Sequence, residues 1–112
     1  MQSSDRAERA LGLLGLATRA GRVTVGVPLI CTAMQQGKNG QRPLVVLTAA
    51  DASAATKKRI GDKCAFYGVQ LIALPVDCGR LALAVGKRGA AVAAAGVNEP
   101  NLATAIKELY NI

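Results

Sequence analysis

The residues best placed to do chemistry are two glycine-bounded cationic segments. In Gly86-Lys-Arg-Gly89, two long cations lie between two glycines. Glycine lets a backbone approach a phosphate closely, and lysine and arginine supply the charge. The loop is not of the G-x-x-x-x-G-K-[ST] kind, because Gly79 lies seven residues before Gly86 and Arg88 stands where a hydroxyl residue is required. No G-x-G-x-x-G occurs, so a dinucleotide site has no support. The second segment, Arg19–Lys38, reads as a cationic turn (Arg19, Gly21, Arg22), a β-branched strand Val23–Val25, Gly26, and a helix with Pro28 in its first turn. Gly37 fits the closing position of that helix, with Lys38 beyond it near the negative end of the dipole. A helix that opens directly off a strand presents free N–H groups to a phosphate or a base edge.

Catalytic constellations are thin. There is no histidine, which removes the commonest general base and metal ligand at neutral pH. Cys31, Cys64 and Cys78 are widely separated and form no Cys-x-x-Cys pair, so neither a zinc site nor a disulfide framework is signalled. Free thiols in odd number suit a reducing cytosol. Cys31 and Cys64 read as core, and activating any of the three would need a helix N-terminus or nearby Lys or Arg. The seven carboxylates are scattered, and Asp51-Ala-Ser53 ahead of a helix is explained by capping. These residues point to a protein that is not an enzyme and holds no metal or cofactor.

Fourteen Lys and Arg against seven Asp and Glu give a net charge of +7 on 112 residues, an excess that favours a polyanionic partner. Half of the chain is apolar but only 3% is aromatic, so the core must be aliphatic. The length suits one domain, residues 1–112. No apolar run approaches the roughly 20 residues of a membrane span, and Leu11–Ala17 is too short, and too closely preceded by Asp5 and Glu8, to act as a signal peptide. A cytoplasmic location is expected.

The elements that must position the two segments follow from periodicity. Ser3 or Ser4 is expected to cap a first helix whose Ala7, Ala10, Leu11, Leu14 and Ala17 share one face. Leu44–Thr48 is a continuous apolar run, as in a strand covered on both sides. Ala54–Tyr67 reads as a helix capped by Asp51 or Ser53 and closed by Gly68, with Lys57, Lys58, Arg59 and Lys63 on its polar side. A strand Val69–Leu74, a short helix Asp77–Val85, the Gly86–Gly89 loop, a strand Ala90–Ala95 and a last helix to about Tyr110 complete the chain. This alternation predicts an α/β domain with helices on both faces of a small sheet. Ala90–Ala95 is also compatible with a helix, in which case Gly86–Gly89 would match the G-x-x-G clamp of KH domains.

Taken together, Leu14–Gly26, Leu44–Ser53, Thr56–Lys58, Asp62–Val69 and Leu81–Gly86 resemble the kink-turn-binding ribosomal protein superfamily, which includes large-subunit proteins L-seven-Ae and L-thirty-e. Within it they are most similar to the small bacterial YlxQ-like branch. The resemblance implies a three-layer α-β-α sandwich with a small mixed four-stranded sheet. It also implies an RNA-binding, ribonucleoprotein role through the start of the second helix and the loop before the last strand. On these positions Arg22, Lys38, Lys87 and Arg88 would neutralise phosphates. The Gly26-Val27-Pro28 helix start would face the RNA, and Gly86 and Gly89 would allow close approach. The family's Gly-x-Asn-Glu-x-x-Lys signature is altered: Pro28, Leu29 and Thr32 stand where Asn, Glu and Lys are expected. Proline and leucine cannot make those hydrogen bonds, so the chain is expected to grip structured RNA by its backbone rather than read kink-turn bases. The alternative is a protein-interaction module using the Pro28-Leu29 surface, and a small-ligand or catalytic domain is the remaining class. No DNA or membrane partner is expected.

Overall fold

A computed structural model describes residues 3–37 and 41–112. Helix and strand alternate as α1 (Ser3–Arg19), β1 (Val23–Val25), α2 (Val27–Gln36), β2 (Val45–Ala49), α3 (Ala54–Tyr67), β3 (Gln70–Leu74), α4 (Cys78–Ala84), β4 (Ala94–Val97) and α5 (Pro100–Leu109). The strands form one sheet in the order β1-β4-β2-β3. The β4 strand runs antiparallel to both neighbours, with Ala95 opposite Val25 and Leu47, while β2 and β3 are parallel, with Val45 opposite Gln70 and Ala49 opposite Leu74.

The central strands β2 and β4 are buried along their whole length. Alternate residues of β2 serve opposite faces, because successive side chains of a strand point apart. Val45, Leu47 and Ala49 join α1, α4 and α5 in one core that includes Leu14, Leu81 and Ile106. Val46 and Ala94 join α2 and α3 in a second core built on Ile30, Met34, Ile60 and Cys64. The result is the expected α-β-α sandwich with a mixed sheet. The apolar face of α1 is as its spacing predicts, since Ala7, Ala10, Leu11, Leu14 and Ala17 are all buried.

Helix limits follow local chemistry. The Ser53 hydroxyl accepts the Thr56 N–H at 3.1 Å to start α3, and Gly68 closes it in the left-handed region at φ +69°. The carboxylate of Asp77 starts α4 by accepting the Arg80 N–H at 2.7 Å, and that of Glu99 starts α5 by accepting the Leu102 N–H at 2.6 Å.

Three expectations change, and a fourth is met in a different conformation. The last strand is Ala94–Val97, not Ala90–Ala95: an alanine run has little strand preference of its own, and pairing with β1 and β2 sets the register. Because a strand and not a helix follows Gly86–Gly89, the helix–loop–helix of the KH alternative is absent. Asp51 does not cap α3 but supplements the Asp77 cap of α4, accepting the Cys78 N–H at 2.8 Å. Gly37 closes α2 as expected, its N–H donating to Ala33 O, but in an extended conformation (φ −62°, ψ 135°) instead of the left-handed one usual there; glycine is needed because a Cβ would collide with the Ala33 carbonyl and the Arg42 side chain. The side chains of Ser3 and Ser4, and all of Lys38, lie outside the described residues.

Candidate nucleic-acid interface

The β1 strand ends at Val25, and the Gly26 N–H donates to Ala94 O at 3.0 Å, pinning the turn to β4. Gly26 adopts φ +94° and ψ 143°, which glycine alone reaches without strain. Its carbonyl accepts the Ile30 N–H at 3.0 Å and so begins α2. No side chain caps this helix, and Pro28 has no N–H to offer. The Val27 and Leu29 amides at the positive end of the α2 dipole are therefore left to an external acceptor.

The opposing loop is shaped by its glycines. Gly86 N–H donates to Leu83 O at 3.2 Å and Lys87 N–H to Ala82 O at 2.8 Å, the paired bonds of a Schellman closure with Gly86 at φ +75°. A second turn follows, in which the Ala90 N–H donates to Lys87 O at 3.0 Å and Gly89 takes φ +83°. A Cβ on either glycine would meet open space, so backbone direction, not close approach of the rest of the protein, requires glycine at both. Between them Lys87 and Arg88 are held exposed.

The two features share one groove of about 410 Å³. It is lined by Gly26, Val27 and Pro28 at the start of α2, by Lys87 and the segment 90–93 that follows the loop, and by Thr56 and Arg59 of α3. The groove has two cations and no carboxylate among its lining residues, so its field favours an anion.

Known proteins match this chain only in part by sequence. No protein-family model matches it. It is 36% identical over 62 residues to the RNA-binding protein YlxQ of Enterococcus faecium, which covers 55% of this chain and 56% of that protein. To the RNA-binding protein YlxQ of Bacillus subtilis (strain 168) it is 44% identical over 57 residues, covering 51% and 53%. The chain thus spans about half the length of the curated relatives it matches. Its fold superposes on a protein of unknown function from Bacillus halodurans C with a TM-score of 0.78, at 28% identity over 92% of this chain and 97% of the other. The Giardia lamblia 15.5kD RNA-binding protein gives 0.74 at 17% identity over 91% and 84%, a likeness of fold alone.

Of the residues singled out in the sequence, Gly26, Val27, Pro28 and Lys87 line the groove, and Gly86, Arg88 and Gly89 belong to its loop. Arg22 is elsewhere. It sits at the far end of β1, where its Nε and Nη2 donate to the Asn98 Oδ1 and O at 3.2 and 2.8 Å. Arg59, by contrast, was hidden in the row Lys57, Lys58, Arg59, Lys63. Only the packing of α3 decides which member turns to the groove. Lys57 donates to Ala50 O at 2.6 Å on the other side of the helix, and Lys58 pairs with Asp62 at 2.9 Å across one turn.

Thiol chemistry finds no support in this arrangement. Cys78 opens α4, but hydrogen bonding of its thiol to Asp51 pushes its pKa up to about 11, and burial does the same for Cys64. Both thiols are therefore protonated, and weakly nucleophilic, at neutral pH. Among the described residues no group of three or more His, Cys, Asp and Glu is placed to hold a metal ion, and no helix is long and apolar enough to cross a membrane.

Proposed function

We propose that this chain is a non-enzymatic protein that binds structured RNA along the groove between the α2 start and the Gly86–Gly89 loop. The observation that carries the reading is the meeting of an uncapped helix N-terminus with Lys87 and Arg59 in a groove without carboxylates. The names of the half-length relatives support RNA as the partner. Lys87, Arg88 and Arg59 take phosphates, with Lys38 a further candidate, and the Val27 and Leu29 amides donate to phosphate oxygens. Readout of kink-turn bases by the α2 start is not part of the proposal. The side chains of Pro28 and Leu29 have no donor or acceptor for a base edge, and the Thr32 hydroxyl is spent on Pro28 O at 3.0 Å. A cytosolic, ribosome-associated setting fits this reading.

The test is titration against a kink-turn RNA and a plain duplex at several salt concentrations. Three phosphate contacts give a log–log salt slope of about −3, and each of Arg59→Ala, Lys87→Ala and Arg88→Ala removes about one unit of it for both RNAs. The Arg22→Ala change leaves the slope as it is. Binding that ignores salt, or no binding at low salt, overturns the reading.

A second reading rests on Leu29, which is 62% exposed at the helix tip beside exposed Pro28. An apolar tip of this kind suits a protein partner. Under that reading Leu29→Ser abolishes the partner contact while the salt slope for RNA is absent from the outset.

A further inference from the structure

A larger cavity, of about 530 Å³, lies at the carboxyl ends of the parallel pair β2 and β3, against Ala49, Ala50, Leu74 and Pro75. Crevices at that end of parallel strands are where open α/β sheets take ligands, and the volume lies in the range of small-molecule sites. The cavity is distinct from the anion groove. The first turns of α3 stand between them, with Lys57 and Ile60 on the cavity and Thr56 and Arg59 on the groove.

Two of its polar groups are unsatisfied. Arg6 Nε and the Tyr110 hydroxyl are buried and have no hydrogen-bond partner among the described residues. Thr48, 4% exposed, is the one polar residue in the described core, and it also lines this cavity. An unpartnered buried donor or acceptor carries a desolvation cost, so two at one cavity call for a partner. The guanidinium of Arg6 lies 5.3 Å from the Tyr110 ring centroid, and Arg6 forms no ion pair among the described residues. Lys57 holds a second positive charge at the edge, fixed by its bond to Ala50 O. No carboxylate lines the cavity, and Ile60, Leu71 and Leu74 give it apolar walls. Burial raises the Tyr110 pKa, so its hydroxyl remains a neutral donor.

We propose that this cavity binds a small organic anion: one acidic group on a flat or branched apolar body. Arg6 and Lys57 hold the acid, the Tyr110 and Thr48 hydroxyls bond its polar substituents, and the walls of Ile60, Leu71 and Leu74 cover the body. The assignment stands apart from RNA binding and survives its failure.

Anilinonaphthalene sulfonate serves as the probe, followed by fluorescence and by amide shifts in NMR spectra. One saturable equivalent is expected, with the largest shifts at Thr48–Ala50 and Leu71–Ala73. Ala73 is exposed on β3 and borders the cavity; Ala73→Phe fills the space from an exposed position and weakens binding about tenfold or more. The uncharged counterpart phenylnaphthylamine binds about tenfold more weakly than the sulfonate, and Arg6→Gln removes most of that difference. Should Arg6→Gln not fold, Lys57→Gln at an exposed position makes the same charge test. The proposal is overturned by absence of saturable binding, by shifts centred on Gly26 and Lys87, by an unaltered affinity in Ala73→Phe, or by equal affinity for the uncharged probe.

Discussion

Asp51 receives both the backbone N–H of Cys78 and the thiol of the same residue, tying the turn after β2 to the start of α4. The thiol hydrogen bond is the main reason that the Asp51 carboxyl is held below its ordinary 3.8 and that Cys78 is raised from 9.0 to about 11. A carboxyl whose folded pKa is lowered stabilises the fold above its unfolded pKa, and loses that contribution as pH falls through the folded value. The gap in Tm between the parent and Asp51→Asn is therefore expected to be constant near neutrality and to close below about pH 4. Asp51→Asn also lowers the Cys78 pKa, so iodoacetamide modifies Cys78 about tenfold or more faster at pH 8; an unchanged rate contradicts the assigned bond. At this scale the sequence shows residue types but not their directions. Asp51 was legible as a helix cap but not as the acceptor of the first amide of α4, because its partner Cys78 lies 27 positions away. Arg22 and Arg59 differ in the same way, since Asn98 engages one and the rotation of α3 turns the other to the groove.

For single elements, Ser53→Ala removes the only side-chain cap of α3 and is expected to lower stability by about 1 kcal/mol in urea unfolding. Gly89→Ala forces a side chain onto φ +83° and costs about 1 kcal/mol through backbone strain alone, as its Cβ would touch nothing. If Gly89→Ala were neutral, the loop would have another conformation. These two elements also mark the limits of reading from sequence. The ends of α3 were legible to the residue, since Ser53 and Gly68 act on their own neighbours. The position of β4 was not: Ala90–Ala95 carries no periodicity, and its pairing is decided by strands far away in the chain.

On the scale of the whole molecule, one sheet separates two aliphatic cores, and β2 contributes to both. Leu47→Ala opens a cavity in the larger core and is expected to cost about 2–5 kcal/mol by denaturant unfolding, with cooperativity retained. The layering was legible from the alternation of helix and strand. That Gly26 and Lys87 meet was implied by family likeness and not by any spacing, since sheet order alone brings them together. The β4 strand that this order places second has a further consequence. Its Ala94, Ala95 and Gly96 carry almost no bulk, and a Cβ on Gly96 would lie 3.0 Å from that of Pro43. Nothing large can be trimmed from these three positions, whereas any added methyl group presses on the Pro43 turn or on a helix layer. Random variation along them should therefore be tolerated in one direction only, with survivors confined to the smallest residues.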